Sequence, residues 1–211
     1  MMKYYSKIDA IYKRDEKTKK TLIGEYRDHY VEMLKDIKWI FTEKIDGTNI
    51  VVHWDGNKVE FGGRTERSQI PTHLLQMLNE KFSGHEMEEL FEQKFGEKDV
   101  YIYGEGYGNK IQNSDYIDTV DFIIFDILIN DVWLERHAVE DIARYFNCDI
   151  VPVIFEGTLE EGVEYVKQHN CSKVGTKPTK MEGLVARPCV ELKNKTGKRI
   201  ITKIKYEDLK E

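Results

Sequence analysis

The sequence predicts an α+β fold of antiparallel sheets flanked by short helices. Three stretches carry that prediction. In TNIVVHWDGNKVEFGGRT, Asn49–Trp54 is apolar and β-branched, Asp55-Gly56-Asn57 is a strong turn signal, and Lys58–Phe61 alternates, so the segment reads as a hairpin. DFIIFDILI, from Asp121 to Ile129, is an apolar run of strand length. PTHLLQMLNEKF, from Pro71 to Phe82, opens on a first-turn proline and repeats its apolar residues at helical spacing.

The remaining elements follow the same rules. Residues 1 to about 38 are polar and mixed. YYSKIDAIYKR suggests a strand and turn, HYVEMLKDIKWI a short helix or an extended approach, and the segment reads as an N-terminal lid or support. Glu86–Phe95 and Ala138–Phe146 read as helices, and Val100–Tyr103 as a strand ending in GEGYG. Asn130-Asp131 turns the chain into a short strand at Trp133, and Val151–Phe155 is a further strand. Thr158 caps a helix running through His169, with Glu161 at the capping-box position. Met181–Arg187 is a strand with Glu182 near its start. Glu191–Lys205 reads as a hairpin over Lys195-Thr196-Gly197, whose second strand places Lys203 and Lys205 on one face by the two-residue period.

At 211 residues, with 40% hydrophobic and 33% charged residues, the chain fits one large domain or two small ones with a real core. Cys148, Cys171 and Cys189 are odd in number and far apart, and no C-x-x-C occurs, so neither a disulfide framework nor a zinc site is indicated. Reduced thiols and an N-terminus without an apolar run point to an intracellular, cytoplasmic protein, and no stretch approaches the ~20 apolar residues of a membrane span. The glycosylation matches at Asn170 and Asn194 are read as chance. The glycines of GEGYG lack the dinucleotide-binding spacing, and no G-x-x-x-x-G-K-[ST] is present.

Net charge is −6, which by itself argues against a nucleic-acid partner. The distribution points the other way. Ten Lys and Arg residues lie between Lys173 and Lys205, opposed only by Glu182 and Glu191. A local basic face acts on phosphates over a Debye length of about 8 Å whatever the net charge. A solvated basic edge is the alternative.

The chain's chemistry centres on Phe41–Asn49, FTEKIDGTN, where Lys44 stands two residues before Asp46-Gly47. An amine attacks only once its proton is gone, so a reactive lysine needs cationic neighbours or a metal to depress its pKa. A lone K-x-D-G reads more readily as an exposed strand end running into a turn, and it is the ordered company further along the chain that overturns that reading. Glu105 reads as an acid offered from a strand end to a ligand hydroxyl or as a structural acid in a turn, and Phe125 as core or as a face for a base. Gly62-Gly63 allows a close backbone approach before Arg64, and the hairpin would bring Lys44 and Arg64 to one rim.

In order, EKIDGTN, GGRT, YGEGYG, FIIFDI, EGLVAR and TKIK resemble the motif set of the covalent nucleotidyltransferase superfamily of ATP-dependent ligases and capping enzymes. The motifs span Glu43–Lys205, and EKIDGTN with GEGYGNKIQ looks most like the RNA ligase 2-like branch. The resemblance implies an ATP-grasp-like, DNA-ligase-type nucleotidyltransferase domain. It implies that Lys44 attacks the α-phosphorus of ATP, that the AMP passes to a 5′-phosphate on RNA, and that a 3′-hydroxyl then seals the strand. It further implies that Lys203, Lys205 and Mg²⁺ (or Mn²⁺) depress the Lys44 pKa and hold the triphosphate, with Glu182 as the metal carboxylate. Arg64 and Glu105 would hold ribose and phosphate oxygens, and Phe125 would stack on the base. Glu43 would accept from the adenine amine, Ile45 would line the nucleotide site, Asp46 would contact the ribose, and Asn49 would serve the strand-joining steps. The implied partner is RNA, as a nicked duplex or an RNA/DNA hybrid. The sequence ends six residues after Lys205, so residues 1–211 are expected to form the nucleotidyltransferase domain alone, with no C-terminal OB-fold or helical domain. A minimal ATP-dependent DNA ligase, and a non-catalytic nucleic-acid-binding module that keeps the fold, are the alternatives.

Overall fold

The computed structural model describes residues 2–112 and 115–210; the last residue of the YEDLKE end lies outside them. In chain order the elements are β1 (Asp9–Ala10), β2 (Tyr12–Arg14), β3 (Thr21–Tyr26), α1 (His29–Met33), β4 (Trp39–Lys44), β5 (Thr48–Trp54), β6 (Val59–Gly62), α2 (Thr72–Phe82) and α3 (His85–Phe95). They continue with β7 (Val100–Gly108), β8 (Val120–Ile129), β9 (Val132–Trp133), α4 (Arg136–Tyr145), β10 (Asp149–Ile150), β11 (Val153–Gly157), α5 (Leu159–Gln168), β12 (Gly183–Pro188), β13 (Thr202–Lys205) and a 3-10 helix (Tyr206–Leu209). The chain divides into two compact units: residues up to Ser6 with Asp46–Ile150, and Lys7–Ile45 with the residues from Val151 onward.

The first unit is built on a sheet in the order β10-β8-β7-β5-β6, with β9 added to β8. All its pairings are antiparallel except β10 with β8. The β5–β6 hairpin forms as the sequence predicts: the Asp55 carboxylate accepts from the backbone N–H groups of Asn57 and Lys58, both at 2.9 Å. Helices α2, α3 and α4 supply Leu74, Leu78, Phe82, Phe91, Phe95 and Ile142 to a core that includes Ile50, Val52, Trp54, Ile102 and Phe122. A separate cluster joins Val51, Tyr101, Tyr103 and Leu128 to Tyr5, Phe125 and Trp133.

β7 departs from expectation. It does not end at Tyr103 but runs through GEGYG to Gly108. The glycines serve packing inside the strand: a Cβ on Gly104 would lie 2.4 Å from the Ile123 carbonyl oxygen, and one on Gly106 would lie 2.4 Å from Leu74. Glu105 is therefore a strand residue, paired with Asn49 on β5 and Ile123 on β8.

The second unit carries a sheet in the order β1-β13-β12-β4-β11, parallel only at the β1–β13 edge, and a β2–β3 hairpin. Asp28 caps α1 through the N–H groups of Tyr30 and Val31. Thr158 and Glu161 cap α5 reciprocally, the capping box expected from the sequence. That helix approaches β4 closely, because a Cβ on Gly162 would lie 2.2 Å from the Phe41 ring. Trp39, Phe41, Leu159, Val166 and Leu184 form this unit's core. Of the expected 191–205 hairpin, a single Lys193–Arg199 bridge remains beyond the four-residue β13. Asn194 holds its turn by accepting from the N–H groups of Thr196 and Lys198.

Candidate active site

In the second unit, three strands bring the cationic residues into one row. Gly183 on β12 pairs with Lys44 on β4 on one side and with Lys205 on β13 on the other. Residues opposite one another in a sheet share a face, so Lys44 and Lys205 project together, about 10 Å apart at two strand spacings. Lys203 follows on the same face by the two-residue period, while Thr202 and Ile204 turn into the core. Gly183 must be glycine: a Cβ there would lie 2.0 Å from the Ile204 carbonyl oxygen and 2.8 Å from the Lys205 Cα.

Glu182, one residue before the row, binds both amines. Its Oε2 accepts from Lys44 Nζ at 2.5 Å and its Oε1 from Lys205 Nζ at 2.5 Å. All three side chains are less than a third exposed, at 23% for Lys44, 16% for Glu182 and 29% for Lys205. Burial works against the charge on Lys205, but the bonded Glu182 carboxylate outweighs it and holds that ammonium above the ordinary lysine value. Glu182 is an oxygen ligand among amines. One carboxylate completed by substrate phosphates is a donor set that suits Mg²⁺, which is held through few protein ligands and keeps its waters. Among the described residues no group of three or more His, Cys, Asp or Glu side chains could hold a metal ion by itself.

Glu43 points away from solvent. It is 2% exposed, and its carboxylate accepts from the Ser172 hydroxyl and, at 2.8 Å, from the Lys173 backbone N–H. Burial raises its pKa against the lowering effect of those two bonds. Its partners lie in a loop closed by the Cys171–Lys180 bridge. Nothing in the local sequence marks this tie, since the partner is 129 residues away. Ile45 is buried beside it in sequence.

The other expected residues belong to the first unit. Asn49 and Glu105 are cross-strand neighbours, and the buried Asn49 Oδ1 has no hydrogen-bond partner among the described residues. The Asp46 backbone N–H donates to the Tyr116 hydroxyl at 3.0 Å. Arg64 is exposed at the start of a turn that Ser68 closes through Thr65. Phe125 packs edge-on against Tyr5, with ring centres 4.9 Å apart. It is also the extra residue of a bulge: Tyr103 pairs with Asp126 and Gly104 with Ile124, which leaves Phe125 unmatched. A bulge re-aims a side chain out of the regular alternation, and the unbroken apolar run of β8 gives no sign of it.

The basic run of the sequence is partly neutralised. Lys198 pairs with Asp9 at 2.8 Å, and Arg199 is gripped by both oxygens of Glu191 at 2.6 and 2.7 Å. The Lys198 bond lowers the Asp9 pKa. Lys205 is likewise engaged, on Glu182.

Comparison with known proteins places this geometry in a family. No curated protein matches the chain. Solved structures of the Naegleria gruberi RNA ligase do. An arginine-to-alanine mutant with ATP and Mn aligns with TM-score 0.66 at 18% identity, over 95% of this chain and 55% of that one. The ligase with PPi aligns with TM-score 0.62 at 21% identity, over 83% and 51%. An aspartate-to-alanine apo mutant aligns with TM-score 0.62 at 19% identity, over 84% and 52%. At these identities the likeness is one of fold, and the chain spans about half the length of the structures it matches. The family model described as RNA ligase matches residues 37–205, from the approach to β4 through the end of β13. The chain belongs to the RNA ligase family.

Proposed function

We propose that this chain is the nucleotidyltransferase domain of an ATP-dependent RNA ligase, and that Lys44 is its nucleophile. The observation that carries the reading is the Glu182 carboxylate shared between Lys44 and Lys205, at 2.5 Å from each amine. A core-facing or surface lysine has no need of a second lysine on the same carboxylate; a site for a polyphosphate does.

In the first step the Lys44 Nζ, having lost its proton, gives its lone pair to the α-phosphorus of ATP. The N–P bond forms as the bond to the bridging oxygen breaks, and pyrophosphate leaves with that electron pair. AMP then passes to a 5′-phosphate, and a 3′-hydroxyl displaces it to form the phosphodiester. Such transfers depend mainly on positioning and charge neutralisation. Lys203 and Lys205 neutralise phosphate oxygens from the strand next to that of Glu182. Glu182 would hold a Mg²⁺ or Mn²⁺, which would supply further charge neutralisation at the phosphates. Glu182 holds the two amines in place and would be the residue that holds the metal. Arg64, Glu105, Asp46 and Phe125 serve the ribose, phosphates and base, Asn49 serves the strand-joining steps, and Glu43 and Ile45 shape the nucleotide site beside Lys44. The substrate we favour is a broken RNA strand presented as a nicked duplex or RNA/DNA hybrid inside the cell. Among the described residues no helix is long and apolar enough to cross a membrane.

The test is direct. Incubated with α-labelled ATP and Mg²⁺ and then denatured, the protein should retain an acid-labile label that Lys44→Ala abolishes. Nicked duplexes with RNA or DNA on the 3′-hydroxyl side then separate RNA from DNA sealing. A wild-type protein that takes no label would refute the reading.

A further inference from the structure

The N-terminal β2–β3 hairpin is more than a support. Between it and the C-terminal 3-10 helix lies a cleft of about 620 Å³, within the size range of small-ligand sites. Arg14, Lys19, Lys20 and Lys210 line it, with Glu207 and Asp208 as the opposing charges. Asp208 is engaged: its side chain is 10% exposed and ion-paired to Arg14. Lys19 and Lys20 are exposed, and among the described residues neither makes an ion pair.

The hairpin tip is built to hold these lysines. One oxygen of Asp15 accepts from the backbone N–H groups of Lys17 and Thr18 and from the Thr18 hydroxyl, at 3.1, 2.7 and 2.8 Å. The Asp15 N–H donates to the Lys20 carbonyl at 2.8 Å. Lys19 sits at φ 60, a left-handed conformation that costs a non-glycine residue about 1–2 kcal/mol. Such strain is kept where the surroundings impose it, often at binding sites. At the hairpin's base the buried Tyr12 packs edge-on against Tyr26, with ring centres 5.4 Å apart. The turn is therefore anchored at both ends. Ile23, 53% exposed, and Leu209 give the cleft an apolar side.

We propose that this cleft binds the sugar–phosphate backbone of the RNA strand, at a site apart from Lys44 and its partners. Successive phosphodiesters lie against Lys19, Lys20 and Lys210, and the sugar edges against Ile23 and Leu209. The proposal rests on the RNA-ligase reading for the identity of the strand. The chemistry fits a backbone better than a free nucleotide: the lining offers cations and aliphatic surface but no aromatic ring for a base to stack on.

The experiment uses the whole chain, a short single-stranded RNA and binding measured across a salt series, with lysyl-AMP formation followed in parallel. Each phosphate contact on a single strand contributes about 0.7 to the slope of log K against log salt. Lys19→Ala/Lys20→Ala should reduce the slope by about 1.4, and weaken binding by about 14-fold at 0.15 M salt relative to 1 M, while self-adenylylation proceeds at the wild-type rate. Asp208→Asn frees Arg14 and should act in the opposite direction, tightening binding by about 4-fold, which unfolding would not do. Unchanged affinity and slope in the double variant, or no binding of RNA by wild type, overturn the cleft proposal. Absence of label in wild type overturns the ligase reading instead.

Discussion

Replacing Gly183 by alanine tests whether the row Lys44–Gly183–Lys205 is the working arrangement. The added Cβ would stand 2.0 Å from the Ile204 carbonyl oxygen and 2.8 Å from the Lys205 Cα. Both obstacles are backbone, so no rotamer change relieves them. Ordinary contact begins at 3.4 Å, so β13 must withdraw by about 1.4 Å, the difference between 3.4 and 2.0 Å. Lys205 then leaves its 2.5 Å bond to Glu182. Overpacking of this kind costs about 1–3 kcal/mol, which in a domain of this length lowers Tm by about 2–12 °C. The chemical cost should be larger, because a displacement of about 1 Å at a positioning residue reduces rate by about 100-fold. The assay is the initial rate of acid-labile labelling from α-labelled ATP and Mg²⁺, at a temperature well below the variant's Tm. Thr158→Ala is the control, since it weakens the α5 cap without touching the row. Should Gly183→Ala label within threefold of wild type while its Tm falls as calculated, the row is structural only and the reasoning fails.

Other substitutions probe separate links. Thr158→Ala removes one half of the α5 capping box and should cost about 0.5–2 kcal/mol by chemical denaturation, with the labelling rate unchanged. Gly162→Ala should destabilise in spite of alanine's better helix propensity of about 1 kcal/mol, because its Cβ meets the buried Phe41 ring at 2.2 Å; a rise in Tm would show that α5 is free to move. Glu182→Gln should lower stability by about 1–3 kcal/mol at pH 7 by leaving two ammoniums without their shared anion. Lys205 is held above the usual lysine value, so its part of that stability is complete below pH ~10.5 and lost as pH rises through the folded value, where the gap between variant and wild type should narrow. Glu43 has the opposite consequence. Its raised pKa means that the folded state binds more protons than the unfolded one just above the ordinary glutamate range, so stability falls as pH rises through that window, and Glu43→Gln should flatten this part of a pH–Tm curve.

These residues also show what a sequence exposes and what it hides. Local rules were sufficient where partners are close in the chain. Asp55 builds its turn within three residues, Thr158 and Glu161 cap one helix, and the period of two puts Lys203 and Lys205 on one face. They fail where a residue's role is set across strands. The glycines of YGEGYG read as a strand end because glycine usually marks turns, yet they lie inside β7, where a carbonyl and a leucine leave no room for a Cβ. Phe125 reads as one more apolar residue of a run, and only the Tyr103–Asp126 and Gly104–Ile124 pairings reveal the bulge.

Charge shows the limit most sharply, because a charge's effect depends on its partner and partners are remote. The density of lysine and arginine between Lys173 and Lys205 marks that segment as the basic face. Folding gives Lys198 to Asp9, 189 residues away, Arg199 to Glu191, and Lys205 to Glu182. The KRDEKTKK stretch carries five cations and two acids, Asp15 and Glu16, between Lys13 and Lys20. Yet Asp15 turns its carboxylate onto backbone N–H groups, and Asp9 is bound to Lys198, which leaves Lys19 and Lys20 without a paired anion among the described residues. The cationic surface available to a phosphate chain is thus fixed by which acids the fold occupies, and it lies partly on the β2–β3 hairpin.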